Sequence, residues 1–292
     1  VAFAAVLNFV AFLIFPLHVA GTIGKGIIDA SIVDPAVITG ALIGAITWNL
    51  LTWWWGLPSS SSHALVGGLI GSGVAKGGWG VLGTKKITET ALFIVVSPLA
   101  GMIVSAVLTV LIASLLRKKT PGKVDQWFRR LQLLSAGAFS LNHGGNDAQK
   151  TMGIIAVLLY SQGYLGKEFP TAENFPWWIV LTCHAAMGLG TLSGGWRIVK
   201  TMGMRLTKLK PFGGFCAETG GSVAILVATI LGIPVSTTHT ITGAIVGVGA
   251  VTKPGSVRWG VAARIIWAWV FTIPASAAIA VGTYYLVRAL GM

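Results

Sequence analysis

Gly56-Leu-Pro-Ser-Ser-Ser-Ser-His63 recurs as Gly232-Ile-Pro-Val-Ser-Thr-Thr-His239, at an offset of 232 − 56 = 176 residues. The same offset carries Gly67 onto Gly243, Gly71 onto Gly247 and Pro98 onto Pro274. Small residues and prolines that repeat together with a polar cluster mark a duplicated scaffold, so the chain reads as two copies of one unit. Each cluster has the chemistry of a helix start. Pro ends the helix before it, and Ser or Thr caps the next. The first turn of that next helix then offers backbone N–H groups with no intrahelical partner, at the positive end of the helix dipole. Two such ends brought together would hold a small oxyanion without a permanent charge on the protein.

Composition gives the surroundings. Of 292 residues, 54% are hydrophobic and only 10% are charged, against about a quarter charged in soluble domains. Too few polar residues remain to cover a water-facing surface, whereas 39 glycines and 12 tryptophans suit close-packed helices with aromatic belts. The formal charge of +13 invites a nucleic-acid reading, but the charges are placed otherwise. Arg117, Lys118, Lys119, Lys123, Arg129 and Arg130 lie in one stretch, and Arg197, Lys200, Arg205, Lys208 and Lys210 in another. Each follows a long apolar run. That asymmetry predicts two cytoplasmic basic loops, 117–130 and 197–210, in the plasma membrane, and no nucleic-acid partner.

Runs long enough to cross a bilayer, about 20 residues each, are expected at 1–17, 36–55, 87–116, 131–160, 177–196, 212–231 and 261–286. Two crossings between the basic loops keep both on one side. The short apolar stretches 59–73 and 236–249 read as re-entrant hairpins. The expected fold is all-α, a polytopic membrane protein with two inverted repeats, re-entrant hairpins and discontinuous helices. Its divisions are 1–116, a first repeat cut short at its N-terminus; 117–130, a basic loop; and 131–292, a second repeat.

His143-Gly-Gly-Asn-Asp147, followed by Gln149 and Lys150, sits mid-span. An acid or a lysine at that depth costs roughly 3 kcal/mol, which marks both as functional candidates. Gly144 and Gly145 would let the helix unwind so that carbonyls, Asn146 and Asp147 coordinate a cation. Alternatively Asp147 and Lys150, three apart, pair on one helical face. Glu218 lies in another span, where it either holds a cation or proton or snorkels to the nearby basic loop. Cys183 and Cys216 read as small buried hydrophobes and His184 as a structural histidine. No covalently bound cofactor is expected.

Together, His143-Gly-Gly-Asn-Asp-Ala-Gln-Lys-Thr-Met-Gly153, the two Pro-Ser/Thr-His clusters and Gly194-Gly-Trp-Arg197 resemble the inorganic phosphate transporter (PiT) family over nearly the whole chain. The resemblance implies an inverted-repeat carrier that moves inorganic phosphate with sodium or protons, forms a homodimer and sits in the lipid bilayer. It places substrate ligands at Asn146 and Asp147, at Ser60, Ser61 and Ser62, and at Ser236, Thr237 and Thr238. Gln149 and Lys150 join them through the bacterial form of the motif, and Asn146, Asp147 and Glu218 are the cation candidates. The family has one Asn-Asp break per repeat. The first would fall before Val1, so this stretch is expected to lack one half-site and not to transport by itself. A sulfate carrier is the alternative within the same chemistry, and a channel or a membrane-embedded enzyme outside it. Neighbouring helical residues such as Ser62 and His63 do not face each other, which argues against a nucleophile–base dyad.

Overall fold

A computed structural model describes residues 1–166 and 168–291. Its helices are α1 (Ala2–Val10), α2 (His18–Gly26), α3 (Pro35–Trp55), α4 (Ser61–Gly77), α5 (Thr84–Leu116) and α6 (Pro121–Ser161). Then come α7 (Trp177–Leu192), α8 (Trp196–Lys200), a π-helical stretch Thr201–Leu206, α9 (Pro211–Ile230), α10 (Thr237–Thr252) and α11 (Trp259–Ala289). The all-α expectation holds. The ends of these helices are written in the sequence. Pro35, Pro121 and Pro211 occupy first-turn positions, where the missing N–H is not needed. Gly56 and Gly232 end their hairpin arms in the left-handed region, at φ 68° and 67°.

The offset of 176 carries α3, α4 and α5 onto α9, α10 and α11. The pairing is crossed. α4 lies along α11, with Gly67 against Ile273 and Gly71 against Ala277, while α10 lies along α5, with Gly243 against Pro98 and Gly247 against Met102. Each pair runs in parallel, and the two pairs point to opposite ends of the molecule. One end holds the C-terminus of α5, the start of α6 and the basic residues around 197–210; here it is called the basic end. The other holds the start of α5 and the C-terminus of α11.

By length and composition α3, α5, α9 and α11 are fit to cross a membrane, and the bent pair Ala2–Leu13 and His18–Gly24 makes a fifth. Their outer faces are apolar: Leu92, Val95, Leu99, Ile103, Val107 and Leu111 on α5 are all exposed. The interior is the polar part. His63, Asn146, Gln149, Lys150, His184 and His239 are buried. A multi-pass membrane protein has this distribution, and a water-soluble one does not expose so much apolar surface.

Several boundaries differ from the sequence expectation. The expected span 1–17 is broken: α1 turns through 85° into α2 at Phe15–Pro16. The expected span 177–196 ends at Leu192, and the chain turns at Gly194 (φ 76°) into α8 and the π-helical stretch. The expected break at Gly144–Gly145 is absent, because α6 is one helix of 41 residues. Those glycines serve packing. Backbone of Asn8 presses on Gly144 and the Phe15 ring on Gly145, leaving no room for a Cβ. The basic stretch 117–130 is likewise mostly helix, since α6 begins at Pro121. Of 197–210, only the last four residues lie outside helical structure.

The non-basic end is fastened at Asp34, whose carboxylate accepts from Val37 N–H at 2.8 Å and pairs with Lys76 of α4 at 2.7 Å. Asp34→Ala removes a helix cap and a half-exposed ion pair. It is expected to cost about 1–2 kcal/mol of stability, read as a lowered midpoint in detergent thermal unfolding, with the site untouched.

Candidate functional site

The two hairpin tips have the same build. Ser60 Oγ accepts from His63 N–H and Ser236 Oγ from His239 N–H, each at 3.2 Å, so each second arm starts on a capped turn. The tips meet. The His63 and His239 rings lie 4.7 Å apart, centroid to centroid, in an edge-to-face arrangement. His239 stacks on Trp269 of α11 at 3.8 Å, and the Trp269 indole donates to Pro58 O of the first tip at 3.0 Å.

α6 crosses beside this meeting point and presents His143, Asp147 and Lys150 at helical spacing on one face. Lys150 Nζ binds both tips: it donates to Ser62 Oγ and to Val235 O, each at 2.6 Å. It also pairs with Asp147 Oδ1 at 2.5 Å. Asp147 Oδ2 accepts from Thr237 Oγ1 at 2.9 Å and lies 3.2 Å from His143 Nε2. A buried ion pair thus ties three elements, one from each tip and one from α6. Side-chain exposures of 3% and 9% for the pair mean that neither charge is neutralised by water, so each depends on the other.

Two cavities reach this cluster from the basic end. One, about 1040 Å³, is lined by Asn49, Ser61, His143, Asp147, Thr151 and Gly195, among others. The other, about 530 Å³, is lined by His143, Glu218, Thr237 and Thr238 and continues past Gln132 and Met202. His143 borders both. Its Nδ1 lies 3.0 Å from Asn8 Oδ1, which ties the broken first helix to the site.

The residues singled out from sequence therefore divide. Asp147, Lys150, Ser62 and Thr237 share one cluster, with Ser61 and Thr238 on the cavity walls. Ser60 and Ser236 are caps. Gln149 turns away from the cluster. Its Oε1 accepts from Val19 and Ala20 N–H at the start of α2, and its Nε2 donates to Pro16 O. Gln149 thus holds the break between α1 and α2. Asn146 Nδ2 donates to Thr229 Oγ1 of α9, and its buried Oδ1 has no hydrogen-bond partner among the described residues. Glu218 accepts from Ser135 Oγ of α6 at 2.5 Å on the wall of the smaller cavity. Sequence reading did not single out His143, Asn8 or the Val235 carbonyl as site groups. His143 had a signal in its i, i+4 spacing to Asp147, whereas a backbone carbonyl has none.

The pattern of the phosphate transporter family matches residues 1–280. A protein of Rhizobium meliloti, described as a probable low-affinity inorganic phosphate transporter, is 58% identical over 285 residues, covering 98% of this chain and 84% of that protein. A Bacillus subtilis protein of the same description is 38% identical over 287 residues, 98% of this chain and 85% of that one. Among solved structures, one titled "The sodium-dependent phosphate transporter" superposes with a TM-score of 0.87 at 26% identity, covering 98% of this chain and 89% of that chain. With sequence, fold and polar interior in agreement, this chain belongs to the phosphate transporter family.

Proposed function

We propose that the protein carries inorganic phosphate across the plasma membrane by symport with a cation, sodium or proton, at the interface of two inverted repeats. The observation that carries this reading is the Lys150–Asp147 pair held between both tips. Phosphate entering from the cavities takes Lys150 together with the hydroxyls of Ser61, Ser62, Thr237 and Thr238 and the first-turn N–H groups of α4 and α10. Asp147 then loses its partner. A buried carboxylate without one is costly, so a cation must take the place Lys150 leaves, beside Asp147 and the free Asn146 carbonyl oxygen. Anion and cation enter together because neither replaces half of the pair alone. By the positive-inside rule, the basic stretches support cavity mouths that open to the cytoplasm.

The test is uptake of labelled phosphate by proteoliposomes of the full-length protein, with sodium and proton gradients imposed separately and sulfate as competitor. Saturable uptake driven by one gradient and resistant to sulfate is expected. Uptake indifferent to both gradients refutes symport, and inhibition by equimolar sulfate refutes phosphate selectivity. Thr237→Val keeps the shape and loses the hydroxyl. It is expected to weaken apparent phosphate affinity about tenfold, the worth of one hydrogen bond to a charged group, and to lower stability by about 1 kcal/mol because Asp147 Oδ2 loses one donor.

A further inference from the structure

Tip 2 has a second side. The two large cavities approach it from the basic end, and Lys150 holds it at Val235 O. On the opposite side a separate cavity of about 270 Å³ lies beneath Leu231–Pro234, lined also by Thr22, Ile27, Lys86, Glu89 and Thr90. Lys86 and Glu89 pair at 2.7 Å, three residues apart, as Asp147 and Lys150 are. The hairpin tip is therefore flanked by two lysine–carboxylate pairs. One is deeply buried, and the other is 39% and 42% exposed near the start of α5. Among the described residues a hydrogen bond ties the tip to α2 on this side: Thr22 Oγ1 donates to Gly232 O at 2.9 Å, with His18 packed on the same glycine. The other repeat has the same device. Thr201 Oγ1, in the second broken element, donates to Gly56 O at 2.8 Å. Each broken helix thus holds the tip of the opposite repeat by the carbonyl of its left-handed glycine.

We propose that the cavity beneath Gly232 is the oxyanion's vestibule on the second face of the membrane. Lys86 is its anion-attracting group, and the Thr22–Gly232 hydrogen bond is the latch that closes it. This rests on the carrier reading for its purpose but not for its test. An oxyanion in the vestibule competes with Glu89 for Lys86, as the same anion competes with Asp147 for Lys150. Pairing keeps each lysine from holding it too tightly. Release of the latch lets Leu231–Pro234 move and joins the two sites.

The experiment uses the full-length protein with Cys183→Ala and Cys216→Ala, both buried free thiols, and Thr90→Cys as the reporter. A membrane-impermeant charged thiol reagent is added to sealed vesicles of each orientation. Thr90→Cys is expected to react only from the face opposite Arg117–Lys119, and Thr22→Val to speed that reaction about fivefold, the worth of one neutral hydrogen bond. Thr22→Ser, which keeps the donor, restores the slow rate. Inorganic phosphate slows the labelling, and Lys86→Gln removes this protection. Labelling from the basic face, or a rate unmoved by Thr22→Val, overturns the latch. Protection that survives Lys86→Gln overturns the role of Lys86. Latch-dependent labelling in a protein that takes up no phosphate would leave the vestibule standing and remove the carrier reading alone.

Discussion

Asp147→Asn is expected to abolish coupled phosphate uptake while the protein remains inserted and helical. Asparagine keeps the size of aspartate and can still accept from Thr237. It cannot balance Lys150, whose side chain is 97% buried with its ammonium between the tips. Removing one partner of a buried pair costs about 3–5 kcal/mol, a loss of about two to four decades in any equilibrium that needs the native arrangement. Lys150 still donates to Ser62 and Val235, so the two tips stay joined to α6 and the fold survives. Under the proposed symport the carrier then fails for a specific reason: the cation would have no carboxylate at which to replace Lys150. Asp147→Asn combined with Lys150→Met separates stability from function. The double variant has no unpaired charge, so its thermal midpoint should recover most of what Asp147→Asn loses, and uptake should not recover at all. Uptake within tenfold of the parent in Asp147→Asn, measured at equal protein in proteoliposomes, removes the ion pair from the mechanism.

What the sequence disclosed about this site followed from repetition. The tips were legible because a capping sequence has a fixed chemistry, Pro then Ser or Thr then an apolar helix, and because it occurs at Ser60 and again at Ser236. The position of the helix breaks was not legible in the same way. Gly144–Gly145 and Phe15–Pro16 both sit in helical surroundings, and glycine serves equally for unwinding a helix and for letting another chain segment approach it. Which use applies depends on Asn8 and Phe15, more than 100 positions away, so no local pattern contains it. Gln149 illustrates the same limit. The family resemblance put it among the substrate ligands, yet its amide is taken up by backbone donors at the start of α2. The break is the cause, and a reading that misplaced the break could not place Gln149.

Gly243→Val should prevent the protein from folding, and Gly243→Ala should already destabilise it measurably, whereas Gly282→Ala should be harmless. Both sites are glycines in apolar helices, and the difference lies in what stands opposite. In a bilayer, helices gain little from burying apolar surface against each other, so they associate through close van der Waals approach, which small residues permit. At Gly243 the approach is to the backbone of Pro98 on α5, and a Cβ would overlap the Pro98 carbonyl. A backbone cannot swing aside as a side chain does. Pro98 sharpens the constraint. It has no N–H to give the carbonyl of Ile94, one turn earlier, and that carbonyl faces the His239 ring at the second tip. Pushing α10 off α5 therefore moves His239, and with it the contact between the tips. Gly67 against Ile273 and Gly71 against Ala277 repeat the arrangement between α4 and α11. Overpacking of this kind costs about 1–3 kcal/mol for one methyl and more for a branched side chain. Gly282 of α11 has open space where its Cβ would go, so alanine there meets nothing and gains up to about 1 kcal/mol of helix propensity. Monodispersity and thermal midpoint in detergent would decide the matter. Gly243→Ala should melt below the parent and Gly282→Ala at or above it. Equal midpoints for the two would mean that the crossed helix pairs are not what holds the repeats together.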